Sequence, residues 1–347
     1  MTGWDNDGMA RRKADHVDVY LKKDVDYRKS AGFDSYEFIH NALPDIDFRS
    51  ISTSTVFMGK EISLPILISG MTGGQKDAVR INRNLALAAE RMRVALGVGS
   101  QRIAIRSRSA GKTFEVRHVA PSIPIIGNLG AAQLNKGFGV DECRNAVEAI
   151  KADGLAIHLN PLQEVIQGGD TDFQGILDRI QVITESLGYP VMVKEVGFGV
   201  SEDVGKRLEK AGVYAIDVAG AGGTSWSAVE SHLATKERRV LGRLFREWGI
   251  PTAACIIMNQ ERGCVLIAGG GIRSGLDMAK AIALGADMVS VAGPLLRAAL
   301  RSADAVENML RRLELELRTA MFGIGAATIE DLKGNDALIR VSDWSLP

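Results

Sequence analysis

Short, nearly continuous apolar runs recur along the chain about every 30 residues, the length of a βαβ unit. They are Ile66–Gly70, Ala95–Gly99, Pro124–Asn128, Leu155–Leu159, Val191–Lys194, Ala215–Val218, Val265–Ala268 and Met288–Val291. Each reads as a parallel strand buried on both faces, where no alternation with polar residues is needed. The gaps carry helical spacing. Between Asp77 and Met92 the apolar positions Ala78, Ile81, Leu85, Ala88 and Met92 fall three or four apart, as one buried helix face requires. Ser274 with Asp277 forms a capping-box pattern, and Gly285 suits the far end of that helix. Ser201, Glu202 and Asp203 open another helix, closed by Gly212.

Strands alternating with helices, without a break in composition, predict a single α/β (β/α)8 TIM barrel over residues 61–325. A doubly wound sheet is the second choice. Residues 1–60 read as an N-terminal arm and extension, its polar start mobile until something binds, and residues 326–347 as a C-terminal tail. Residues 220–263, after strand six, far exceed a normal βα loop. They read as a lid or ligand loop, with a plain surface excursion as the alternative.

Composition narrows the function classes. Hydrophobic residues make up 46% and charged ones 24% of the 347, so disordered and coiled-coil readings fail. The 42 basic residues cancel the 42 acidic ones, which argues against a general nucleic-acid binder while leaving room for a local basic patch on a small anion. Cys143, Cys255 and Cys264 are few and widely spaced, as suits reduced thiols. Met1 to Asp15 is polar, and the uncharged run Val119–Asn135 is broken by Pro, Gly and Asn, so neither a signal nor a membrane helix is expected and a cytoplasmic protein is.

Barrel enzymes work at the carboxyl ends of their strands. Those ends carry Gly70-Met71-Thr72-Gly73-Gly74, Gly99-Ser100-Gln101-Arg102, Asn128, then His158 with Asn160, Gln163 and Glu164. They continue with Lys194-Glu195, Gly220 to Trp226, Gly269-Gly270-Gly271-Ile272-Arg273 and Ala292-Gly293. Neutral hydrogen-bonding groups dominate, which suits a flat heterocycle bearing a phosphate. The phosphate end falls on Gly269 to Arg273 and on Ala292-Gly293 at a helix start. A Rossmann reading fails, because Ser274 stands where a third glycine is needed. Lys194 could hold negative charge on a bound ring or form a Schiff base; the amide-rich surroundings favour the first. One carboxylate, Glu164, among neutral partners suits Mg²⁺, with a helix cap and a core histidine as the alternative. Arg11-Arg12-Lys13 and His16 form a basic arm that could fold over a diphosphate or lie solvated.

These residues resemble a known family. Arg12-Lys13 with His16, Gly70-Met71-Thr72-Gly73-Gly74, Gly99 to Arg102, His158-Leu159-Asn160 with Gln163-Glu164, Gly222 to Trp226 and Gly270 to Gly275 are similar, in order and spacing, to the type 2 isopentenyl-diphosphate isomerases. The resemblance implies interconversion of isopentenyl and dimethylallyl diphosphate with reduced FMN, Mg²⁺ and NADPH as reductant, in a homotetramer or larger. It implies flavin contacts from Ser69, Gly70, Met71, Thr72, Ser100, Asn128, Lys194, Thr224, Gly271, Ile272, Arg273, Ala292 and Gly293. Arg12, Lys13, Ser100, Gln101, Arg102, Asn160 and Gln163 would bind substrate, Glu164 the metal, and Gln163, His158 and Trp226 would form the catalytic set. Ala219 replaces a serine of some relatives, so a flavin contact there must be through the backbone. An FMN-dependent oxidoreductase on the same barrel is the alternative; as a 2-hydroxy-acid oxidase it would want a histidine base and an arginine clamp after strand six, and Gly220 to Trp226 has neither.

Overall fold

A computed structural model describes residues 6–105 and 108–344. Eight parallel strands, β1 (Ile66–Ile68), β2 (Ala95–Gly97), β3 (Ile125–Gly130), β4 (Gly154–His158), β5 (Val191–Lys194), β6 (Ala215–Asp217), β7 (Val265–Gly269) and β8 (Met288–Val291), close into a barrel. Closure is by β8 against β1, with Val289 opposite Ile66. Every apolar run read from the sequence is one of these strands, displaced by at most two residues at an end.

The barrel interior is layered by the two-residue period of a strand. Leu67, Ala95, Ile126, Ala156, Met192, Ala215, Ile267 and Met288 form one buried apolar layer. Phe57 and Ile62, from the antiparallel pair Thr55–Phe57 and Lys60–Ile62, pack beneath it and plug the amino end. Two residues further along each strand come Ser69, Gly97, Asn128, His158, Lys194, Asp217, Gly269 and Ser290. The floor of the carboxyl end is therefore polar, and the layer supporting it is dry.

Helices sheathe the barrel by the expected devices. Ile81 and Leu85 of helix Lys76–Met92 are buried, each contributing about 1.5–3 kcal/mol relative to exposure. The Ser274 hydroxyl accepts from the Asp277 amide at 3.1 Å and the Asp277 carboxylate accepts from the Ser274 amide at 3.0 Å, which caps helix Gly275–Ala283. Ser201 caps helix Glu202–Lys210. Among the described residues no helix is long and apolar enough to cross a membrane.

Residues 220–263 fold into helices Trp226–Leu233, Lys236–Leu244 and Thr252–Asn259. The last packs on β7 and helix Glu202–Lys210, so part of the insertion is barrel wall. Residues 1–5 lie outside the described ones. From Asn6 onward the polar start is a helix, Asn6–Lys22, packed on helix Trp226–Leu233 through Val19, Ala228 and Val229. The following strap crosses the β6 loop: Ser225 N donates to Val25 O and Tyr27 N to Gly223 O, both at 2.8 Å. Strand Leu338–Arg340 in the C-terminal segment pairs antiparallel with Tyr36–Phe38.

Candidate active site

A cavity opens over the polar layer. Ser69, Gly70, Met71, Lys194, Thr224, Gly271, Ile272, Arg273, Ala292 and Gly293 line it, so ten of the thirteen residues expected at a flavin meet at one surface. Its roof is made by His16, Tyr20, Trp226 and Val229. Lys194 is buried and donates to its neighbour's carbonyl, Glu195 O, at 2.7 Å; burial pushes its ammonium below the usual lysine range. Gly270 and Gly271 have φ of +96° and +74°, which side-chain-bearing residues rarely adopt, and a Cβ on Gly223 would sit 2.8 Å from Gly271 N. Glycine there lets two loops touch and turns backbone toward the cavity. Arg273, at the expected phosphate end, pairs with Asp26 at 2.9 Å. Ala219 lines the cavity with a φ of +34°.

The other three expected flavin residues sit beside the cavity lining. Asn128 Oδ1 lies 2.8 Å from His158 Nδ1 within the polar layer. Thr72 is buried, its hydroxyl accepting from Gln75 at 3.2 Å, and the Ser100 carbonyl accepts from Lys13 Nζ at 2.6 Å. Burial pushes His158 down to about 3, aided by the charges of Lys194, Lys13 and Arg102, so its ring is neutral at physiological pH. A neutral ring facing an amide oxygen through Nδ1 carries its proton there.

A second polar cluster adjoins the roof, and its hub is Glu230. This carboxylate is 0% exposed, yet it meets Arg12 Nη2 at 3.0 Å, His16 Nε2 at 2.9 Å and Gln163 Nε2 at 2.9 Å. Burial alone would raise its pKa; the His16 and Gln163 hydrogen bonds and the Arg12 charge prevail and hold it below the usual carboxylate range. Trp226 receives the His16 ring edge-on, with centroids 5.3 Å apart. Asn160 Nδ2 donates to Glu164 Oε1 at 2.9 Å, and Glu164 Oε2 accepts from Asp170 N at 2.8 Å. Asn160 Oδ1 and Arg12 Nε are buried without a hydrogen-bond partner, an arrangement that calls for a ligand. Arg102 pairs with Asp170 at 3.1 Å. Lys13 is pushed down to about 8 by burial and by Arg102.

Gln101 is 1% exposed and braces the barrel wall, accepting from Asn128 N at 2.9 Å and donating to Ala146 O at 2.8 Å, so both ends of its side-chain amide are engaged with backbone. Of the basic arm, Arg12, Lys13 and His16 turn inward, while Arg11 is exposed. Sequence reasoning missed Glu230, Asp217, Ser290 and Tyr20. Counting two residues on from each buried apolar position would have found Asp217 and Ser290; nothing local marks Glu230. Among the described residues no three His, Cys, Asp or Glu side chains converge as a metal site, so a metal at Glu164 would need oxygen ligands from elsewhere.

Comparison with known proteins agrees with this geometry. Residues 170–340 match the FMN-dependent dehydrogenase family. The isopentenyl-diphosphate delta-isomerase of Paracoccus zeaxanthinifaciens is 47% identical, over 98% of this chain and 100% of its own. That of Methanothermobacter thermautotrophicus is 47% identical, over 96% and 95%. Among solved structures, a mandelate oxidase carrying an FMN adduct superposes with a TM-score of 0.63 at 17% identity, covering 97% of this chain and 99% of that one. A flavocytochrome b2 with sulfite bound gives 0.66 at 16%, covering 96% and 85%. These two likenesses establish the fold.

Proposed function

The chain belongs to the isopentenyl-diphosphate delta-isomerase family, and from that premise we propose how its own residues carry the interconversion of isopentenyl and dimethylallyl diphosphate. Reduced FMN would be held in the cavity above the polar layer by Lys194, by the backbone of Gly270 to Arg273 and by Ala292-Gly293. The fit rests on the donor set: glycine backbone at the rim, neutral hydroxyl and amide groups, and a buried lysine where a ring would bear negative charge. Mg²⁺ would be held by Glu164, whose neighbour Asn160 has an unpartnered side-chain oxygen, and would serve to neutralise the substrate diphosphate. NADPH serves as reductant, and the enzyme acts in the cytoplasm as a homotetramer or larger.

Bound FMN supplies a group that gives and takes a proton at an unactivated alkene, which none of these side chains does. Arg12, Lys13 and Arg102 hold the diphosphate, and this fixes the reacting carbons over the cavity. Trp226 and the docked N-terminal helix exclude water from a cationic transition state. His158, neutral and tied to Asn128 within the polar layer, would hold its proton at Nδ1 instead of acting as an acid. Gln163, held by Glu230 and Asn160, would lie near the allylic carbons.

The observation that carries this reading is the junction of the two sites, a polar cavity floor meeting a cluster of inward-turned basic side chains at His16 and Trp226. The test is reduced enzyme given isopentenyl diphosphate and Mg²⁺. Prompt formation of the allylic isomer without net flavin oxidation supports the reading, and no conversion counts against it. Glu164→Gln lowers Mg²⁺-supported activity with the yellow flavin retained; loss of flavin would refute that division of labour.

A further inference from the structure

The polar floor contains a carboxylate that the reaction as described does not use. Asp217 is 0% exposed at the end of β6, in register opposite Lys194 of β5. Its Oδ2 accepts from Ser290 Oγ of β8 at 2.7 Å and its Oδ1 accepts from Ala219 N at 3.1 Å. Residue 269 on the intervening strand β7 is glycine, and a Cβ there would press on both the Asp217 carboxylate and the Ser290 hydroxyl. Three strands are thus shaped around one buried anion.

Such an anion is costly to keep dry without a counter-charge. The groups facing this region are few. Glu195, adjoining Lys194, turns its carboxylate to the amides of Val196, Gly197 and Phe198, and His158 of β4 is neutral. Lys194 is the cation of this layer. Burial pushes Lys194 and Asp217 each toward the neutral form, and each opposes that push in the other, with the Glu195 charge a smaller contributor to keeping Lys194 charged. Their hydrogen bonds go to other partners, so the coupling acts through the dry barrel interior, where charges are weakly screened.

We propose that Asp217 is a positioning residue for the isomerisation, a buried counter-charge fixed by Ser290 and by the absent side chain at Gly269, which keeps Lys194 a cation at the cavity floor. The pairing stands independently of the cofactor; its consequence for the bound ring rests on the reading of the cavity as the FMN site.

The test compares Lys194→Met, Asp217→Asn and the double variant of the full chain, first as FMN-free protein by thermal denaturation. Lys194→Met leaves Asp217 unpaired and lowers the midpoint; adding Asp217→Asn recovers part of the loss. If Asp217→Asn lowers the midpoint equally in both backgrounds, the carboxylate is a strut and the proposal is overturned. In holoenzyme, Asp217→Asn moves the alkaline limb of the kcat profile down by about one pH unit or more. Lys194→Arg/Asp217→Asn abolishes that limb, because a guanidinium stays charged. An unmoved limb in Asp217→Asn refutes the coupling. Ser290→Ala, a milder change that tolerates poor folding of the others, shifts the limb in the same direction by less, and no shift there counts against the anchor. Failure of every form to take up FMN refutes the cofactor reading while leaving the thermal comparison decisive for the pair.

Discussion

Replacing Glu230 with alanine should release the N-terminal helix while the barrel stays folded. The helix Asn6–Lys22 is not Ala-rich, and like most protein helices it gains its order chiefly from docking. Docking rests on the packing of Val19 against Ala228 and Val229, and on one buried carboxylate receiving Arg12, His16 and Gln163. A hydrogen bond to a charged group contributes about 1.5–3 kcal/mol. The Arg12 side chain is 36% exposed, so solvent screening discounts its share, leaving about 2–3 kcal/mol for the cluster. Opening of the helix should rise roughly 30- to 150-fold.

Amide hydrogen exchange reads this directly. Residues 12–22 should lose protection by that factor in Glu230→Ala, while helix Ala303–Ile324 keeps its own. The folded-state pKa of Glu230 is depressed, so its contribution is fully present above the ordinary carboxylate range. It is lost as pH falls through the lowered value. Protection of residues 12–22 should therefore weaken in acid in the parent protein and lose that dependence in the variant. Equal protection of residues 12–22 in both proteins at neutral pH would show that apolar packing alone docks the helix.

Two further outcomes concern proton occupancy. Lys13, pushed down to about 8, should lose its charge as pH rises past that value, so the KM for the diphosphate substrate climbs on the alkaline side and Lys13→Arg flattens the climb; a KM that is level to pH 9.5 in the parent would remove Lys13 from the diphosphate site. His158, pushed down to about 3, binds fewer protons folded than unfolded between that value and its ordinary 6.5. Stability should therefore fall as pH drops through this window, and denaturant titrations of His158→Gln should show a shallower fall; identical slopes would mean that the ring is protonated in the folded chain.

How much of this was legible beforehand differs between elements and pairs. Met288–Val291 and Val191–Lys194 have the strand limits their apolar runs announced, and the caps at Ser201 and Ser274 stand where serine and acid were spaced for them. Each of these depends on residues a few positions apart, so the chain records it locally. The glycine-rich strand ends also announced their gathering at one rim, because parallel strands of a barrel must point the same way.

The amino-acid order alone therefore determined the strands, the helices and the end of the barrel where chemistry happens. Tertiary structure decided which polar groups meet there. Arg12 finds Glu230 across 218 residues, and Gln101 turns from the rim into the wall to hold Asn128. Asp217 comes under Lys194 because β5 and β6 align in that register. Burial periodicity is a property of a segment and is written along it. A pairing between buried charges exists only once closure of the barrel has excluded water from both.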